Sequence, residues 1–259
     1  MKSLKNVVII LTLISITVGL VSCEKIPPME NTTIRGIEFT SNGLLTFSIA
    51  HVFGNQAIAF DTTQYQTITD TIKISELNYY VTNVTLTTEA NTKVNLKNYD
   101  LVSYNPNQPT NIIVSGIPAG KYKSVTFLVG VDSVRNSSGL QTGALDPANG
   151  MFWTWNTGYI FFKVRGRFGV TGSYGLDIGG NADINGASNA MEVSFDLTPF
   201  NKTGNAATLN VVFDVQKLFM SPNIYNLRTD SNQIHNASNP FIPKLKQNII
   251  NSFSIQSLQ

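Results

Sequence analysis

The sequence predicts an all-β chain, a single antiparallel β-sandwich with few short helices. Three observations lead there. Short segments rich in β-branched and aromatic residues recur along the chain, with apolar and polar side chains alternating. Clusters of Gly, Asn, Asp and Pro separate these segments and read as turns. Helical periodicity surfaces in only two places, and neither a repeat nor a long internal linker divides the chain.

The first segment lies outside that body. Lys2 and Lys5 precede an apolar stretch over residues 7–20, and Leu20-Val21-Ser22-Cys23 closes it with the single cysteine of the chain. The stretch is too short for a stable bilayer span and resembles a bacterial lipoprotein signal, with residues 1–22 removed and Cys23 diacylated. An ordinary secretory peptide with a coincidental cysteine is the alternative, and it too exports the chain. Residues 23–32 include Pro27 and Pro28 without apolar periodicity and read as a tether, so the folded domain is expected over 33–259. The implied address is the cell envelope, lipid-anchored at the outer membrane on its periplasmic or surface face.

Within the domain each strand has its own pattern. Leu45, Phe47, Ile49 and His51 alternate on one face, and so do Tyr80, Thr82, Val84 and Leu86. Val125, Phe127, Val129 and Val131 follow the turn Gly120-Lys121-Tyr122. Ile160, Phe162 and Val164 face away from Tyr159, Phe161, Lys163 and Arg165. Further strands are expected at residues 34–39, 111–114, 191–195 and 209–213. Asp214 suits the cap of one helical turn, and Leu245, Ile249, Ile250 and Phe253 space a short amphipathic helix leading into a last strand.

Composition narrows the function. Only Lys2 and Lys5 are charged before Cys23, so maturation takes 18 basic and 16 acidic residues to 16 of each, a formal charge of zero. That balance gives no electrostatic case for nucleic acid. With Cys23 consumed by lipid, the chain has no disulfide, thiolate zinc site or cysteine nucleophile. No Walker loop, His-Glu-x-x-His or Ser-His-Asp arrangement is present, and the two histidines are far apart in sequence. A non-enzymatic protein is expected.

The densest segment holds both tryptophans, Trp153 and Trp155, with Met151, Phe152, Tyr159, Phe161 and Phe162 close by. These residues can be an aromatic core delivered by the turn at Asp146-Pro147 and Gly150. The pattern Gly150-Met151-Phe152-Trp153-x-Trp155-x-x-Gly158-Tyr159, ending at Arg165-Gly166, resembles the MbnP-like copper-binding proteins. The blocks Glu76-Leu77-Asn78-Tyr79-Tyr80 and Phe127-Leu128-Val129-Gly130-Val131-Asp132 agree with it. The resemblance implies a secreted or periplasmic β-sandwich that binds copper through histidines, helped by a tryptophan oxidised to kynurenine. A partner dihaem peroxidase makes that modification in characterised members, so Trp153 or Trp155 is its expected target here.

The chain departs from its relatives in its ligands. Where many carry histidine, Tyr174-Gly175-Leu176-Asp177-Ile178-Gly179 places Asp177. Copper in this compartment relies on imidazole or thioether donors. That leaves His51, on an apolar face where a lone histidine is more often a hydrogen-bonded core residue, and His235, set in a polar loop. Met151, Met191 and Met220 are further thioether candidates. Asp132 and Asp146, near Asn136 and Asn149, suggest oxygen ligands for calcium or else turns held by Asx hydrogen bonds. The run over residues 179–186 reads as a turn. A metal-free binding module for a glycan or an envelope protein is the rival function, and it requires exposed tryptophan rings.

The lipid assignment is directly testable. Native protein should partition into the detergent phase of a cloud-point extraction, and Cys23→Ser should move to the aqueous phase. Retention of the variant in detergent would mean that something other than Cys23 anchors the chain.

Overall fold

The computed structural model describes residues 36–108, 110–154, 158–180, 188–198 and 202–259. They belong to a compact unit spanning Thr33–Gln259. Cys23, Trp155 and residues 181–187 lie outside the described set. Among the described residues no helix is long and apolar enough to cross a membrane.

The chain is all-β with few helices. Its first half runs β1 (Ile37–Phe53), β2 (Gln56–Ala57), β3 (Tyr65–Gln66), β4 (Thr71–Thr88), β5 (Lys93–Asn95), β6 (Tyr99–Ser103), β7 (Thr110–Ile117) and β8 (Gly120–Val129). The one-turn helix α1 (Ser133–Asn136) and two 3-10 turns lead to β9 (Phe152–Trp153), β10 (Gly158–Phe168), β11 (Gly172–Gly179) and β12 (Met191–Asp196). β13 (Lys202–Asp214), α2 (Val215–Met220), β14 (Gln233–Ile234), α3 (Ile242–Ser252) and β15 (Phe253–Leu258) complete it.

Two features differ from a simple antiparallel sandwich. First, β1 pairs parallel with β13 from Ile37 to Val52, and β11 pairs parallel with β14. Alternation marks a strand and its buried face but carries nothing about the direction of its neighbour. Second, the strands form one hydrogen-bonded network, whose main path is β14-β11-β10-β4-β8-β1-β13-β15. The long strand β4 makes this continuity, pairing β10 through Ile72–Tyr79 and β8 from Val81 onward.

Bulges redirect side chains that strict alternation would place elsewhere. Asn83 sits in the left-handed region (φ 52°) where the β4–β8 register shifts between Thr82 and Thr85. An extra residue moves every later side chain to the opposite face. Leu77, Tyr79 and Val81 therefore share the main core with Val84 and Leu86, whereas Tyr80 belongs to a second cluster. A shift between Ile160 and Phe162 acts likewise on β10. Phe162 and Val164 enter the main core, while Ile160 joins Tyr159 and Phe161 with Val131, Leu145, Met151 and Trp153.

The two longer helices, α2 and α3, follow their sequence signals. Asp214 caps α2 by accepting from the Gln216 amide at 3.0 Å. The apolar stripe of α3 buries Leu245 and Ile249, and β15 follows it directly.

One close approach pins β10 against β4. A Cβ on Gly166 would lie 1.9 Å from the Lys73 carbonyl oxygen, a contact that only backbone movement can relieve. Gly166→Ala should cost at least about 2 kcal/mol of unfolding free energy, measured by urea titration. A change within about 0.5 kcal/mol would show that the two strands separate easily.

Candidate metal site

His51 stands near the C-terminal end of β1, where inward alternation after Leu45, Phe47 and Ile49 buries it to 3% exposure. The parallel register sets Phe213 opposite it, β4 supplies Tyr79, and Tyr104 follows β6. The imidazole lies 4.5 Å from the Tyr104 ring, 5.8 Å from Tyr79 and 6.0 Å from Phe213, centroid to centroid. Its Nε2 is 2.8 Å from the Tyr79 hydroxyl. Nδ1 is buried without a hydrogen-bond partner among the described residues.

Burial pushes the His51 pKa down to about 3. The ring is thus neutral over the ordinary pH range. Burial also raises the Tyr79 phenol well above its usual value, so both partners stay uncharged. In the tautomer whose Nε2–H donates to Tyr79, the Nδ1 lone pair is free to bind a metal. His51 also lines a pocket of about 450 Å³ with Ser48, Tyr104, Asn107, Gln108 and Thr110. Tyr79, Tyr104 and Phe213 escape sequence reasoning as a set, because strand pairing and a loop unite them.

The second histidine has a different setting. His235 Nδ1 is 3.2 Å from Asp177 Oδ2, and Nε2 is 2.8 Å from Gln233 Oε1. Asp177 is 1% exposed and lies opposite Lys163 in the β10–β11 register. Its carboxylate also accepts from Arg165 Nη2 at 2.6 Å. Glu76 Oε2 is 3.7 Å from Arg165, and Glu76 Oε1 is 3.5 Å from the buried Lys163 ammonium. The bond from Asp177 holds the Arg165 guanidinium above its usual pKa. Asp177 is thus engaged by two protein donors, with the fixed positive charges of Arg165 and Lys163 close by. Those charges disfavour a metal cation there.

The aromatic block is interior. Trp153 is 1% exposed and pairs with Gly158, packed with Met151, Tyr159 and Phe161. Gly150 turns the chain at φ 70°, and its carbonyl accepts from Lys163 Nζ. A fully covered indole presents no face to a sugar at this position. Asp132 and Asp146 each cap the start of a helical turn. Asp132 caps α1 through Oδ1 and the Arg135 amide at 3.1 Å, while Oδ2 accepts from Tyr99 and from Asn83 at 3.1 Å. Burial opposes its charge, yet those hydrogen bonds hold its pKa below the usual carboxylate value. Asp146 Oδ1 accepts from the Ala148 amide at 2.8 Å. Among the described residues, no group of three or more His, Cys, Asp or Glu side chains is arranged to hold a metal ion.

The family model for MbnP matches residues 42–238, which is most of the chain. The protein belongs to the MbnP family. The structure of MbnP from Methylosinus trichosporium matches with a TM-score of 0.55 at 15% sequence identity, covering 83% of this chain and 98% of that one. At that identity the likeness is one of fold. No curated protein sequence matches the chain.

Among the described residues, His51 Nδ1 is a buried imidazole nitrogen left without a partner, and its setting fits a soft or borderline metal. Imidazole suits copper, and the uncharged aromatic surroundings offer hard divalent cations no carboxylate. One imidazole begins such a site without completing it.

The same geometry makes stability depend on pH. The unfolded chain protonates His51 near 6.5, whereas the folded protein keeps it neutral down to about pH 3. The stabilisation is therefore complete above 6.5 and is lost as pH falls toward 3, at about 1.4 kcal/mol per pH unit. His51→Gln should flatten the urea-unfolding profile between about pH 6.5 and 4.5 relative to the native chain. Parallel profiles would mean that the folded protein protonates His51 in this range.

Proposed function

We propose that this MbnP-family protein is a lipid-anchored, extracytoplasmic, non-enzymatic metal-binding protein that holds copper through His51. The observation that carries this reading is a neutral, buried imidazole with one nitrogen unpartnered among the described residues, lining an open pocket. His235 is a poorer candidate, because both of its nitrogens face protein oxygens. With one protein imidazole the proposed site is labile, suited to exchange more than to permanent storage.

A lipid at Cys23 would hold the domain at the outer membrane. A dihaem peroxidase is the proposed partner, acting on Trp153 or Trp155. The burial of Trp153 favours oxidation by electron transfer through the protein over direct contact of the indole with a haem.

The test is an anaerobic Cu(I) competition titration of the Cys23→Ser protein, which removes the one thiol. One equivalent should bind, and His51→Ala should weaken it at least about tenfold, or ~1.4 kcal/mol, with His235→Ala unchanged. Binding indifferent to His51 would move the site, and no competitive binding would sink the copper reading.

A further inference from the structure

A separate concavity lies beside the β1–β2 turn and shares none of its lining residues with the His51 pocket. Gly54 makes that turn at φ 61°, and its amide donates to Asp214 Oδ1 at 2.8 Å. The same oxygen accepts from the Gln216 amide and caps α2. One carboxylate thus clamps a hairpin turn to a helix start, and this sets the Gln216 side chain over Gly54. A Cβ at Gly54 would come within 3.2 Å of Gln216 Oε1.

The opposite wall is equally held. Gln64 Nε2 donates to Thr71 Oγ1 at 3.0 Å, and Gln66 Nε2 donates to the Thr67 carbonyl at 2.7 Å. Between them Tyr65 stacks on Phe53, with centroids 4.7 Å apart at 28°, and its hydroxyl accepts from the Ala59 amide at 2.8 Å. The resulting pocket is about 460 Å³, within the range of small-molecule sites. Asn55, Gln56, Gln64, Gln66 and Gln216 line it, and among the described residues no Asp, Glu, Lys, Arg or His does.

The chemistry of that wall selects its ligand. Side-chain amides offer donors and acceptors together, the same duality as a hydroxyl group. An ionic ligand would lose hydration without meeting an opposite charge, and an apolar one would strip water from the amide oxygens of Gln64 and Gln66, whose nitrogens already donate to Thr71, Thr67 and Asp70. A ligand bearing several neutral hydroxyls satisfies both conditions. We infer that this pocket is a binding site for a neutral saccharide. The site is independent of the copper reading, since it shares no lining residue with the His51 pocket.

The experiment is a titration of the ¹⁵N-labelled full chain with cellotetraose, with mannotetraose and, as a charged control, with tetragalacturonate. At least one neutral tetrasaccharide should shift the side-chain amide resonances of Gln64, Gln66 and Gln216 at up to about 10 mM, with binding weakened at least about fivefold in Gln66→Ala/Gln216→Ala. Unperturbed resonances elsewhere would establish that the double variant is folded, and His51→Ala should bind the sugar as the native chain does. The inference is overturned if neither neutral sugar shifts those resonances, if tetragalacturonate binds more tightly, or if the double variant binds equally well.

Discussion

The parallel pairing of β1 with β13, which runs from Ile37 opposite Lys202 to Val52 opposite Asp214 with one register shift between Phe39 and Leu44, is the contact on which the other parts of the fold depend. β13 carries β15 on its other edge, while β1 carries β8 at its start and β7 beyond the bulge after Phe39. Strands from the two ends of the described chain thus lie side by side within one sheet. Such a contact closes a very long loop before it is rewarded, and no disulfide is available to hold it. The pairing also sets Phe213 opposite His51 and, through Asp214, ties the β1–β2 turn to α2. Both pockets of interest therefore adjoin the same end of one strand pair.

A second constraint is the treatment of buried charge. Lys163 and Asp177 are both interior, and each has partners: Glu76 and the Gly150 carbonyl for the lysine, Arg165 and His235 for the aspartate. Removing one member of such a set leaves another charge uncompensated, a loss of roughly 3–5 kcal/mol in buried pairs. This explains why Asp177 acts here as structure. It also explains how Gly150, and with it the approach to Trp153, is tied to β10. His51 meets the opposite treatment, since burial among aromatic rings removes its charge and leaves a neutral nitrogen available.

Much of the fold was legible in the sequence. The alternation in β1, β8 and β10 identified strands, Asp214 announced the start of α2, and the spacing of Leu245 and Ile249 announced α3. The places where alternation misled are bulges. Asn83 and the shift after Ile160 each exchange the two faces of a strand, so Tyr80 and Ile160 pack with Trp153 and not in the main core. A polar residue in a left-handed conformation leaves only a faint trace in sequence, because asparagine is common in ordinary turns as well.

The sequence by itself determined the all-β class, the absence of an intramolecular disulfide and the family blocks around Trp153. These rest on local periodicity, composition and motif, which need no knowledge of what lies next to what. Tertiary structure decided the parallel direction of β13, the ion pairing of Asp177 and the fate of each histidine. Tyr79, Tyr104 and Phe213 surround His51, and the amides of Gln64, Gln66 and Gln216 meet around a pocket, because strands distant in sequence are brought side by side. Whether an imidazole is an ion-pair partner or a neutral donor follows from the dielectric and the neighbours that this assembly creates, and neither exists until the chain has folded.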